Sequence, residues 1–167
     1  MHDRLTKSDI EKMEREIEER KLVKRPELIE AVKEARAQGD LSENFEYYAA
    51  KREKNLNESR IRYLENMIKT AIIVEDRAEN DQVAMNRSVE VYFPDDDETE
   101  TFRIVTTIRG NSLKNLISID SPLGKALLHR RTGDRVHVKI SENAGYDVII
   151  KSIGNLTDES EDVIRSF

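Results

Sequence analysis

The chain has 167 residues, no cysteine and a formal net charge of -6. That length allows one ordinary domain or two small ones, the absence of cysteine excludes disulfides and thiolate metal sites, and the negative charge argues against a protein that coats nucleic acid through a general positive field. Charged residues make up 37% of the chain, yet valine, leucine and isoleucine recur at regular spacings, which separates it from a disordered sequence. No apolar run approaches the roughly 20 residues needed to span a bilayer, and no apolar h-region follows MHDRLTKSD, so a cytoplasmic protein without membrane contact is expected. The charge is uneven. Residues 1–75 hold 16 Lys and Arg against 17 Asp and Glu, and residues 76–167 hold 12 against 17, so a local basic patch belongs on the first half.

From Thr6 to about Gln38 apolar residues step at helical intervals: Ile10, Met13 and Ile17, then Leu22, Leu28, Ile29, Val32 and Ala35. Pro26 interrupts this helix, and a kink or short break is expected near Lys24 to Pro26. Gly39 is a natural stop. From Glu43 the helical pattern resumes through Phe45, Tyr48, Ala49, Leu56, Tyr63, Leu64, Met67, Ile68 and Ala71. A connection this short forces the two helices antiparallel, and each arm of about 30 residues spans about 45 Å. The turn GDLSEN lies at the far end of this hairpin.

After AIIVEDRAEND the pattern changes to short alternating runs, VEVYF, FRIVTTI, NLISI, RVHVKI and DVIIKSI, which read as strands. DDDETE at 95–100 reads as an exposed hairpin loop. SPLGKALLHRRTGD reads as one short helix with Ser121 as N-cap and Pro122 in its first turn, closed by Gly133 and Asp134. The expected fold class is therefore α+β, an antiparallel two-helix coiled-coil hairpin followed by a small, mostly antiparallel sheet domain with one short helix. The expected boundaries are a hairpin over 1–76 with its acidic tip at 39–44, a linker at 77–82, the sheet domain over 83–155 and a polar tail over 156–167.

KRPELIEAVKEARAQGDLSENFEYYAAKRE closely resembles the helical hairpin of the bacterial Gre transcription elongation factors, and NLISIDSPLGKALLHRRTGDRV resembles the matching segment of their C-terminal domain. The resemblance covers nearly the whole chain in order and spacing, with GDLSEN followed by EYYAAKRE as its most specific part. It implies an FKBP-like fold for the sheet domain. It also implies a partner, RNA polymerase, whose secondary-channel rim would receive the C-terminal domain while the hairpin enters the channel toward the extruded 3′ end of the nascent RNA. The polymerase itself would then cut the RNA, with Mg2+ shared in the complex and no cofactor held stably by this chain alone. The chain would thus be an accessory factor and not an enzyme, a monomer that promotes transcript cleavage and binds nucleic acid, including DNA.

The resemblance places the chemistry on Asp40 and Glu43. Two-metal phosphodiester hydrolysis needs ions about 3.5 to 4 Å apart, and Mg2+ is commonly held by only one or two carboxylates besides substrate and water. A three-residue offset at a helix start puts both carboxylates at the same end of the hairpin. One would recruit the ion and the other accept a proton, and either assignment is open. Taken alone, however, D-L-S-E is also a capping box, and Ser42 is a competing N-cap. Caps are far commoner than metal tips, so this stretch in isolation favours capping; the surrounding resemblance reverses that.

Arg36, Lys51, Arg52 and Lys54 match the basic patch that steers the RNA backbone in this family, although solvent-facing ion pairs would explain them equally. Phe45, Tyr47 and Tyr48 could stack on a base or simply pack the helices together; Phe45 stands where the family usually has alanine. Ser121, Pro122, Leu123, Gly124 and Leu127 are the expected polymerase-docking residues. His129, Arg130 and Arg131 could extend that surface or complement the helix dipole. The three histidines show no metal-ligand spacing.

Departures from the family fall elsewhere. Asp9 replaces a usual glycine, TTIRGNSLK replaces a usual acidic stretch between Val105 and Asn115, and SENAGYDV replaces a usual Pro and Gly turn. The sequence also admits two other functional readings: a regulator that occupies the secondary channel without promoting cleavage, and an FKBP-like prolyl isomerase or chaperone, the latter on fold alone.

Overall fold

The computed structural model describes residues 3–39, 44–75, 78–156 and 162–165. The chain divides into two compact units, Met1–Ile73 and Val74–Phe167. No helix among the described residues is long and apolar enough to cross a membrane.

The first unit opens with strand β1 (Arg4–Leu5) and helix α1 (Lys7–Glu19). Asp9 N–H donates to Thr6 Oγ1 at 3.1 Å and Thr6 N–H donates to Asp9 Oδ2 at 2.9 Å, a reciprocal capping box that satisfies two amides of the helix start. This accounts for a buried aspartate at a position where the resembling family usually has glycine. The arm then passes through a π-helical segment, Arg20–Lys24, into α2 (Arg25–Ala37). No break occurs near Pro26: the helix is continuous, and the irregularity expected there is the π-helical segment just before the proline. Proline lacks an N–H and its ring clashes with the carbonyl four residues back. Just before it, the Arg25 N–H bonds to Arg20 O, five residues back, so the chain absorbs the proline without stopping.

Helix α3 (Phe45–Thr70) returns along this arm, and β2 (Ile72–Ile73) pairs in parallel with β1. Glu16 meets Arg60, Arg20 meets Asn57 and Arg36 meets Tyr47, so the arms are antiparallel as expected. Leu5, Met13, Ile61, Leu64 and Met67 are buried in this unit. Next to them the seam turns polar. Buried Arg60 donates from Nε to Glu16 Oε2 at 2.8 Å, and Arg20 Nε donates to the same oxygen at 2.7 Å. Arg20 Nη1 reaches Asn57 Oδ1 at 3.0 Å while Asn57 Nδ2 returns to Arg20 O at 3.2 Å, and Arg25 holds Glu58 through two bonds of 2.7 and 2.8 Å.

Leu22 and Leu56, read from the sequence as part of the apolar stripe, are exposed at 67% and 57%. Leu22 lies in the π segment, where an extra residue per turn swings the helix face away from the partner. On α3 the buried line runs Asn57, Arg60, Ile61, Leu64 and Met67, which leaves Leu56 about 100° off it.

The second unit contains β3 (Arg87–Phe93), β4 (Glu98–Val105), β5 (Leu116–Ser118), α4 (Pro122–Leu127), β6 (Arg135–Ser141) and β7 (Ala144–Leu156). The sheet order is β5-β4-β3-β7-β6, antiparallel throughout except for the parallel pair β4 and β5. Val89 and Val91 of β3, Val136 and Val138 of β6, and Val148 and Ile150 of β7 alternate onto one face and bury against Leu127 of α4 and Ile104 of β4 in one cluster. The hairpin turn occupies 94–97, with Asp97 at φ 51°, so the last three residues of DDDETE belong to β4. The run FRIVTTI ends as a strand at Val105, and Thr107–Arg109 forms a 3-10 turn.

Residues 162–165 return to this unit. Ile164 is buried, Arg165 N–H donates to Ile108 O at 2.7 Å, and the Asp162 carboxylate pairs with Arg103 and, at 3.2 Å, with Arg109 Nη1.

At the start of α4, Ser121 Oγ accepts from Gly124 N–H at 3.0 Å and donates to Ser118 O at 2.6 Å. Gly124 approaches the same carbonyl so closely that a Cβ there would lie 2.0 Å from Ser118 O. Gly124→Ala should therefore force the backbone apart and cost about 1–3 kcal/mol, as overpacking does, and a denaturant midpoint equal to that of the parent chain would refute the close approach. For the helical unit, burial alone would raise the Glu16 carboxyl, but hydrogen bonds from Arg60 and Arg20 outweigh it and hold it below its ordinary 4.5. A depressed folded-state pKa stabilises the fold above the unfolded value and ceases to as pH falls through the folded one. Far-ultraviolet circular dichroism in denaturant should thus show stability of the helical unit falling below about pH 4.5, with Glu16→Gln flattening that dependence.

Candidate functional site

The two arms meet across a short connection. Helix α2 ends at Ala37 with Gln38 as its cap, Gly39 sits at φ 152°, a value that disfavours side chains, and α3 starts at Phe45. Asn44 is the N-cap of α3: its Oδ1 accepts from Tyr47 N–H at 3.0 Å, and its Nδ2 donates to Ala35 O at 2.6 Å. One side chain thereby satisfies an open amide of α3 and a late carbonyl of α2, tying both helix ends together. The residue that caps α3 is Asn44, while the capping roles considered for Asp40, Ser42 and Glu43 fall outside the described residues. An asparagine immediately before a helical run with an acid in its first turn was the available signal. Asp40 and Glu43 themselves lie outside the described residues, as do Leu41 and Ser42.

Behind the connection, Tyr47 is buried, with the Arg36 guanidinium 5.5 Å from its ring centroid and Tyr48 edge-on at 5.5 Å. The hydrogen bond from Arg36 holds the Tyr47 hydroxyl below its ordinary value, with the charges of Lys51 and Lys54 acting in the same direction. The structure therefore brings Arg36, Lys51 and Lys54 within electrostatic reach of one tyrosine, and Arg52 and Lys51 are open to solvent. The three aromatics separate by role: Tyr47 packs, Tyr48 is half-exposed, and Phe45 is 84% exposed. Among the described residues no group of three or more His, Asp or Glu side chains could hold a metal ion.

The expected docking segment is shaped by a network around Ser118. Thr107 Oγ1 lies 2.6 Å from Ser118 Oγ and donates to Asp120 Oδ2 at 2.7 Å, and Asp120 N–H donates to Ser118 Oγ at 2.9 Å. Ser121 caps α4 and Pro122 is exposed in its first turn; Leu123 packs partly on the core, Gly124 is buried and Leu127 is fully buried. Leu127 and Gly124 thus shape the segment from inside, and Ser121, Pro122 and Leu123 form its outer side. His129 and Arg130 are exposed, while Arg131 pairs with Glu79 at 2.8 Å and Asp81 at 2.9 Å.

Comparison with known proteins agrees across both units. Residues 4–73 match the family described as transcription elongation factor, N-terminal, and residues 78–155 match the family described as transcription elongation factor, GreA/GreB, C-term. A transcription elongation factor GreA of Geobacillus kaustophilus (strain HTA426) is 45% identical over 150 residues, covering 89% of this chain and 93% of its own length. The GreA of Staphylococcus saprophyticus is 39% identical over 149 residues, covering 89% and 94%. The crystal structure of GreA factor homolog 1 of Thermus thermophilus is 26% identical, covers 93% of this chain and all of its own, and superposes with a TM-score of 0.42. The chain belongs to the GreA/GreB family of transcription elongation factors.

Proposed function

We propose that this chain is a transcript cleavage factor that acts inside RNA polymerase: the sheet domain docks at the rim of the secondary channel through Ser121, Pro122 and Leu123, and the helical hairpin carries Asp40 and Glu43 to the polymerase active centre. The observation that supports it most directly is the tie at Asn44. The helix ends on either side of GDLSEN are fastened side by side, and α3 takes its cap from Asn44, so it requires no carboxylate from the connection for that purpose. Family membership across both units supports the same reading.

The chemistry of the donor set fits magnesium, a hard cation that prefers carboxylate oxygens and keeps several waters. Bound between these carboxylates and the polymerase, the ion would supply charge stabilisation for phosphodiester hydrolysis. Asp40 and Glu43 orient the attacking water and accept its proton, the work of a positioned general base. Arg36, Lys51, Arg52 and Lys54 attract the phosphate backbone of the extruded RNA, and Phe45, exposed beside the connection, offers a face for an unpaired base. The hydrolytic step belongs to the polymerase; this chain completes the site.

Backtracked polymerase carrying labelled RNA should release a short 3′ fragment faster when this protein and magnesium are added. Asp40→Ala or Glu43→Ala should reduce that acceleration by about 100-fold or more while polymerase binding stays near that of the parent chain. A parent chain that binds without accelerating cleavage would instead be a channel-occupying regulator. Phe45→Ala should raise the half-saturating concentration of the factor several-fold without abolishing cleavage, and an unchanged titration would remove stacking from the account.

A further inference from the structure

Two segments of the sheet domain that lie far apart in sequence meet in the fold. The family match ends at residue 155, whereas residues 162–165 pack back on the sheet domain. The segment they reach is TTIRGNSLK, which carries Arg109 and Lys114 and no acidic side chain. Arg109 has a side chain only 2% exposed, Asp162 is 6% exposed, and Arg103 joins the pair. A buried carboxylate between two buried guanidinium groups is far costlier to separate than a surface ion pair, because removing one partner leaves charge in a low-dielectric site. Arg103 already has a buried Nη1 with no hydrogen-bond partner among the described residues, so it is ill placed to lose Asp162. Beside the charges, Ile164 is buried and Arg165 N–H closes on Ile108 O.

What the strap holds matters as much as how. Residues 106–109 form the turn that leaves β4, and its Thr107 hydroxyl bonds both Ser118 and Asp120, the residues that lead into the Ser121 cap and the exposed Pro122. We infer that the C-terminal residues 162–165 are a strap that positions the polymerase-docking segment, with Asp162 and Ile164 as positioning residues acting through Arg109 and Thr107. This rests on the docking reading given above. The strap joins a basic turn to an acidic tail through the Asp162 carboxylate.

The test uses the full-length chain with Asp162→Asn, Ile164→Ser and, as a probe of the docking surface itself, Pro122→Glu, a charge tolerated in the first turn of a helix. Amide hydrogen exchange should quicken by roughly tenfold or more at Arg109, Gly110 and Asp120 in both strap variants while the β6–β7 pair keeps its protection, since only a local opening is released. In the cleavage assay the strap variants should need several-fold more factor for half-saturation and reach the same saturating rate. Faster exchange across the whole sheet, or unchanged exchange with unchanged half-saturation, would overturn the strap. If Pro122→Glu leaves polymerase affinity unaltered, the docking reading falls and this inference with it; if Pro122→Glu weakens binding while Ile164→Ser alters nothing, only the strap is lost.

Discussion

Arg60 of α3 crosses to Glu16 of α1, and through that carboxylate to Arg20, at the middle of the helical hairpin. Most of what the hairpin does depends on this join. Apolar side chains sliding past one another would give a two-helix pair several nearly equivalent registers, whereas a buried guanidinium has one carboxylate to find and a large penalty for missing it. Asn57, which both accepts from and donates to Arg20, adds a second constraint of the same kind. With the register held there, Arg36 meets Tyr47 and Asn44 meets Ala35, so the end of α2 and the start of α3 lie side by side. The apolar part of the unit supplies stability, and the polar seam supplies alignment.

The π-helical segment belongs to the same logic. Proline in a helix interior usually breaks or kinks it, at a cost of about 3 kcal/mol. Here a five-residue π segment precedes Pro26, keeps the arm continuous, and turns Arg20 and Arg25 toward Asn57 and Glu58. The local irregularity and the interhelical bonds are therefore one feature.

In the sheet domain the corresponding constraint is the approach of Gly124 to Ser118 O, beside the Thr107 hydroxyl. Strand β5 is short and lies at the edge of the sheet beside β4, with a single further bridge from Leu116 to Asn111 among the described residues, so the loop after it gains little from the sheet. Its shape comes from side-chain bonds to the 106–109 turn and from a glycine that lets α4 sit close. The geometry of such a loop is sensitive to whatever braces the turn.

Helical periodicity, the short connection and the alternating valines and isoleucines determined the antiparallel hairpin, the α+β class and the strands from sequence, because each is a local pattern repeated over many residues. The tip motif is contiguous in the sequence, and its Asp40 and Glu43 lie outside the described residues. Tertiary structure alone decided that Leu22 and Leu56 face solvent, that Arg60 and Asn57 are buried, that Asn44 caps α3, and that Asp162 closes on Arg103 and Arg109. Each of those outcomes pairs residues far apart in the chain or weighs several adequate local candidates against one another. A charged or amide side chain carries no mark in the sequence of the partner it will meet, and only the folded geometry brings the two within reach.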